Sequence, residues 1–95
     1  MGSSTSLDGA QPPVSALVLY SRPVCHLCDV VRPAVERVAA EFGLGVEYRN
    51  VESDPAWEAS YGTQIPVAFL GSTKLFKYRV GEAELRQRIA RVLGA

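Results

Sequence analysis

One long amphipathic run between two short apolar ones constrains the fold of this chain more than any other feature. Leu27, Val30, Val31, Ala34, Val35, Val38 and Phe42 recur every three or four residues, which predicts a helix over Leu27 to Phe42 with one buried face. Before it, Ala16-Leu17-Val18-Leu19-Tyr20 reads as a short buried strand. After it, Val46, Tyr48 and Asn50 alternate with Glu47, Arg49 and Val51, the pattern of a half-buried second strand over Val46 to Val51. Strands joined through a helix pair in parallel. Gly43 and Gly45 mark the helix stop. Pro33 falls inside the helix, where it removes one backbone hydrogen bond and predicts a kink.

The remainder extends the unit. Asp54-Pro55 opens a short helix through Tyr61, with Asp54 as N-cap and Pro55 at the first helical position; Gly62 ends it. Ile65 to Leu70 is a third strand, Gly71-Ser72 a tight turn and Thr73 to Tyr78 a fourth strand. Glu82 to Leu93 is a closing helix with Leu85, Ile89, Val92 and Leu93 on one face. The order β-α-β-α-β-β-α gives an α/β fold, a four-stranded mixed sheet with helices on both faces. Residues 1–13, rich in Ser and Gly with a Pro-Pro and no period, read as a disordered leader, which leaves 14–95 as one domain.

Composition removes several function classes. The chain has 95 residues, no formal net charge, and eight arginines against two lysines that form no basic cluster, so nucleic acid is not an expected partner. No apolar run approaches the roughly 18 residues that cross a membrane. The start lacks a charged segment followed by an apolar one, so no secretion signal is expected and the location is taken as cytoplasmic.

The chain has two cysteines, and they lie three apart in Cys25-His26-Leu27-Cys28, at the junction of the first strand and the first helix. A loop this small removes little unfolded-state entropy, so the pair is a poor structural staple. At a helix N-terminus, unpaired amides and the helix dipole favour a thiolate, the form that attacks disulfides. Cys25 is therefore assigned the attack and Cys28, one turn deeper, the resolution of the mixed disulfide. Two other readings stay open: inert core thiols, and a metal site, for which Cys25, Cys28 and even His26 leave zinc short of four ligands. His26, if positively charged, favours the thiolate, and Asp29 is placed to assist proton removal from Cys28; either is equally an exposed polar residue of the first helical turn. Trp57, Tyr61 and Tyr78 read as packing residues. Pro66 opens a predicted strand without an amide to give to the ladder. An X–Pro bond is trans by default, so the sequence alone leaves its isomer open.

Ser21-Arg22-Pro23-Val24-Cys25-His26-Leu27-Cys28 resembles the glutaredoxin active-site segment, with a basic residue three before the first cysteine and a proline next. Thr63-Gln64-Ile65-Pro66 is similar to the Thr-x-Pro signature of thioredoxin-fold enzymes, Pro33 to their helix proline five residues after the second cysteine, and Val80-Gly81 to the segment before their last helix. Over about Val14 to Leu93 the chain resembles small bacterial glutaredoxin-like proteins with a Cys-x-Leu-Cys-Asp site. The resemblance implies a thioredoxin fold, a cis Pro66 and a dithiol thiol-disulfide oxidoreductase. It further implies that Ile65 and Pro66 receive the substrate backbone and that Arg22 pairs with a glutathione carboxylate. No tightly bound cofactor or metal is implied; glutathione is a co-substrate, a disulfide-containing protein or glutathione the partner, and a cellular thiol the reductant. Where glutaredoxins carry Gly-Gly and an Asp for glutathione, this chain has Phe76-Lys77-Tyr78-Arg79, with Gly81-Glu82 later, which supports only half of that site. The alternative of a different class is a non-enzymatic redox sensor or partner-binding module of the same fold.

Overall fold

A computed structural model describes residues 16–94 of the chain. The leader expected at residues 1–13 lies outside the described residues. Strand β1 (Ala16–Ser21), helix α1 (His26–Glu41), β2 (Gly45–Asn50), a 3-10 turn (Val51–Ser53), α2 (Pro55–Tyr61), β3 (Val67–Leu70), β4 (Thr73–Lys77) and α3 (Glu82–Leu93) follow one another in the expected order. They form one four-stranded sheet in the order β2-β1-β3-β4. β1 and β2 are parallel, with Ala16 opposite Gly45 and Ser21 opposite Asn50. β3 runs antiparallel to β1, and β4 antiparallel to β3.

Local chemistry sets the element ends. Cys25 caps α1, and Asp54 caps α2 by accepting the Ala56 amide at 2.8 Å, with Pro55 at the first helical position. At the end of α1 the Leu44 amide reaches back to the Ala39 carbonyl (2.9 Å) and the Gly43 amide to that of Ala40 (3.0 Å). This double closure needs a left-handed residue, and Gly43 supplies it at φ 71°.

The strand limits differ from expectation by one or two residues, and β1 runs one residue further, to Ser21. β3 begins at Val67 rather than Ile65, because Pro66 has no amide to offer and pairing starts at Val67 opposite Tyr20. β4 stops at Lys77, because Tyr78 adopts φ 69°, a left-handed conformation that cannot continue a strand. β2 covers Gly45–Asn50, and Val51 begins the 3-10 turn instead. As an edge strand, β2 leaves Tyr48 exposed, with only Val46 and Arg49 half-buried.

Period-2 alternation in β1 and β3 sorts the interior into two cores. Leu17, Leu19, Ala68 and Leu70 face α1 and α3, where Val31, Val35, Val38, Leu85 and Ile89 complete a buried aliphatic cluster. Val18, Tyr20, Val67 and Phe69 face the other way, with Val51, Trp57, Tyr61 and Ile65. A bulge between Ala68 and Phe69 lets β4 send Leu75 and Phe76, consecutive in sequence, into the same aliphatic core.

Candidate active site

The register of the sheet brings the chemistry to one end. Tyr20 lies opposite Val67, and Val67 opposite Lys77. The segment leaving β1 towards Cys25, the segment entering β3 through Pro66 and the segment leaving β4 through Tyr78 therefore meet at the same edge.

Cys25 has the extended backbone of a capping residue, and its Sγ accepts the Cys28 amide at 3.1 Å. Its carbonyl accepts the Asp29 amide at 3.1 Å, the first turn of the helix. The two cysteines are joined in a disulfide, with Cα atoms 5.2 Å apart, the separation that one helical turn allows. They differ in access. Cys28 is 1% exposed, whereas Cys25 is half-buried. Val24, 92% exposed, and Val30, 57% exposed, present apolar surface on either side of the pair.

The other expected site residues divide. His26 is exposed next to Cys25. Asp29 is exposed too, and its carboxylate pairs with Arg32 at 3.2 Å, one turn along the helix. Pro66 is buried and its bond to Ile65 is cis. Ile65 is half-buried against the aromatic cluster, and among the described residues neither its N–H nor its C=O has a backbone partner. Arg22, expected to receive a substrate carboxylate, is instead engaged within the chain. Its guanidinium pairs with Glu52 (3.2 Å) and Glu58 (2.8 Å) and donates to the Gly62 carbonyl (3.0 Å). The hydrogen bond to Glu58, more than that to Glu52, holds its pKa above the ordinary arginine value.

Tyr78 is a further correction. Rather than packing, it is 41% exposed and holds the segment before β3 from two sides. Its amide donates to the Pro66 carbonyl at 2.7 Å and its hydroxyl to the Thr63 carbonyl at 2.9 Å. Trp57 and Tyr61 pack as expected, around Tyr20, with ring centroids 5.7 and 4.3 Å from it. Glu52, Glu58 and Tyr78 were not legible as site residues. Glu58 lies 36 positions from Arg22, and no local pattern announces a pair that distant.

An open groove of about 460 Å³ lies between Leu27, Val30 and Ala34 of α1 and, across from them, Arg79 and Val80 before α3 with Glu84 in it. Among the described residues, no three His, Cys, Asp or Glu side chains gather where they would hold a metal ion. Among the same residues, no helix is long and apolar enough to cross a membrane.

Sheet order, helix placement and a Cys-x-x-Cys pair opening the helix between two parallel strands define a thioredoxin-fold protein. Residues 16–90 match the Glutaredoxin-like domain (DUF836) family, and the chain belongs to that family. Protein XcR50 from X. campestris, in its X-ray structure, is 30% identical, with 84% of this chain and 99% of that one aligned at a TM-score of 0.65. Protein Ne2328 from Nitrosomonas europaea is 22% identical over 88% of this chain and 92% of its own, at a TM-score of 0.63. Thioredoxin 1 from Thermosipho africanus TCF52B shares the fold at 18% identity, with 83% and 94% covered and a TM-score of 0.62. No curated protein matches the chain.

Proposed function

We propose that the chain is a dithiol thiol-disulfide oxidoreductase in which Cys25 attacks and Cys28 resolves. The observation that carries this is the unequal access of two bonded sulfurs at one helix N-terminus, with Cys25 half-buried and Cys28 shut from water. In the reduced protein the Cys25 thiolate attacks one sulfur of a substrate disulfide. A Cys25–substrate disulfide forms, the substrate S–S bond breaks, and one substrate thiol leaves with a proton. Cys28, having given up its proton, attacks Cys25 Sγ. The internal disulfide forms and the second substrate thiol leaves. The substrate gains two electrons and the protein loses two, which a cellular thiol reductant restores.

The unpaired N–H and C=O of Ile65, at the head of β3, suit pairing with an extended substrate backbone, as an added strand does. Exposed Val24 and Val30 suit an apolar neighbour of the substrate cysteine. The partner is a disulfide-containing protein or glutathione disulfide, no tightly bound cofactor is required, and a reducing compartment such as the cytoplasm would keep the dithiol ready. His26, beside the attacking sulfur, raises the thiolate fraction when it carries a proton.

Equilibration of the purified protein in glutathione buffers of graded ratio, read by acid-quenched thiol labelling and intact mass, tests this. Reversible loss of both thiols together is the expected result. Two thiols that stay reduced in those buffers, and also against a more oxidising dithiol couple, would contradict it.

A further inference from the structure

We infer that Arg22 is a positioning residue and not a substrate ligand: it ties the segment ending in Cys25 to the segment ending in Pro66, and Glu52 and Glu58 withhold it from a substrate carboxylate. This rests on the thiol-disulfide exchange proposed above and narrows its substrate class. The first observation is a count of donors. Arg22 Nη1 donates to Glu52 Oε2 and Glu58 Oε1, both at 3.2 Å, and Nη2 to Glu58 Oε2 at 2.8 Å and Gly62 O at 3.0 Å. The two terminal nitrogens carry four hydrogens, and all four are engaged. Only Nε–H remains, and one donor cannot receive a carboxylate in the two-pronged way a guanidinium favours.

Charge points the same way. One guanidinium between two carboxylates leaves a negative cluster, which repels a thiol compound bearing carboxylates of its own. The third observation is Gly62. A Cβ there would lie 2.6 Å from the Glu58 carbonyl and 1.9 Å from Glu58 Oε2. Only a residue without a side chain lets Glu58 fold over its own helix end and reach Arg22. The Gly62 carbonyl that Arg22 holds is followed directly by Thr63, whose carbonyl is held by Tyr78. The Ile65-Pro66 segment is thus anchored from the Cys25 side by Arg22 and from the β4 side by Tyr78. The favoured substrate is a peptide or protein disulfide, with no carboxylate required at Arg22.

The test uses Arg22→Met, Arg22→Lys and Glu58→Ala, each checked for folding by thermal melt. Exchange is followed with an end-blocked neutral peptide disulfide and with glutathione disulfide. Arg22→Met should lower kcat/KM for both substrates by a similar factor, about tenfold, as misplacement of reacting groups does, and Glu58→Ala should cost the neutral peptide as much but glutathione disulfide less, because a repelling carboxylate is gone. Lys at position 22 keeps the charge but has three donors on one nitrogen against the four acceptor atoms that the planar guanidinium spans, so Arg22→Lys should not restore the rate. Loss confined to glutathione disulfide in Arg22→Met, rescue by Lys, or a Glu58→Ala loss greater for glutathione disulfide than for the neutral peptide would overturn the inference. Wild-type protein inert towards both disulfides would defeat the exchange reading alone. Amide hydrogen exchange then decides the clamp. The paired amides of Gly62 and Gln64 should open about tenfold more often in Arg22→Met if Arg22 anchors the segment, and unchanged exchange would overturn it.

Discussion

The two faces of the sheet are built from different residues and do different work. The α1–α3 face is aliphatic, with Leu17, Val35, Val38, Leu70, Leu85 and Ile89 at 0% exposure under helices of 16 and 12 residues. The α2 face is aromatic, and its cover is a seven-residue helix with no fully buried residue. Tyr20 gathers Trp57, Tyr61 and Phe69 around it, and Arg49 lies over the Tyr20 and Trp57 rings while donating to the Tyr20 hydroxyl at 2.9 Å. The aliphatic face excludes water across its width, so most of the burial free energy lies there. The thin aromatic face carries α2, and α2 delivers Glu58 and Gly62 to Arg22. One face holds the fold, and the other holds the two segments of the site in place.

Adjacent positions test that division. Leu19 points into the aliphatic core and Tyr20, next to it, into the aromatic one. Leu19→Ala should cost about 2–5 kcal/mol in urea unfolding, the price of a buried leucine cavity, while exchange per folded molecule stays near wild type. Trp57→Ala removes a half-buried ring from α2 and should cost less, about 1–2 kcal/mol. Its exchange rate should nevertheless fall about fivefold, because α2 is displaced beneath Arg22. Equal stability losses with exchange intact in both variants would erase the distinction between the faces.

A smaller effect sharpens it at low pH. On the aliphatic side Glu41 is held below the ordinary carboxyl value near 4.5, chiefly by its hydrogen bond to Arg86, and Glu82 likewise by Arg37. Their folded pKa values are lowered, so the unfolded chain binds more protons as pH falls below about 4.5. The stabilisation is present above that pH and is lost as pH falls through the folded values. Glu41 is solvent-exposed and Glu82 only half-buried, so the effect should be slight and should shrink in salt. Arg86→Gln should flatten the acid limb of the thermal-melt profile, and an unaltered limb would remove the ion pair from the cause.

The aliphatic face was the more legible of the two. Its residues declare themselves locally: the stripe of α1, the apolar run of β1 and the face of α3 are each written in consecutive residues. The caps were legible as well, since Asp54-Pro55 and Gly43 act within a turn. What was hidden depends on distant partners. Leu75 and Phe76 break period 2, and only a bulge against Ala68 and Phe69 reconciles them. Tyr78 looks like a strand residue until its amide and hydroxyl find Pro66 and Thr63, and those bonds hold it at φ 69°. Arg22 looked available to a substrate because Glu52 and Glu58, 30 and 36 positions away, are invisible to local pattern. The cysteine pair was legible by spacing, and its unequal access by the helical face that Cys28 shares with Val31 and Val35.

That unequal access is the central claim, and trapping tests it most directly. Cys28→Ser protein, reduced and mixed with an end-blocked peptide disulfide, is quenched in acid and mapped by mass. The expected result is one peptide per chain, bonded to Cys25, while the reciprocal Cys25→Ser protein takes up almost none. An adduct on Cys28 in the reciprocal variant at equal rate, or no adduct on Cys25, would contradict it.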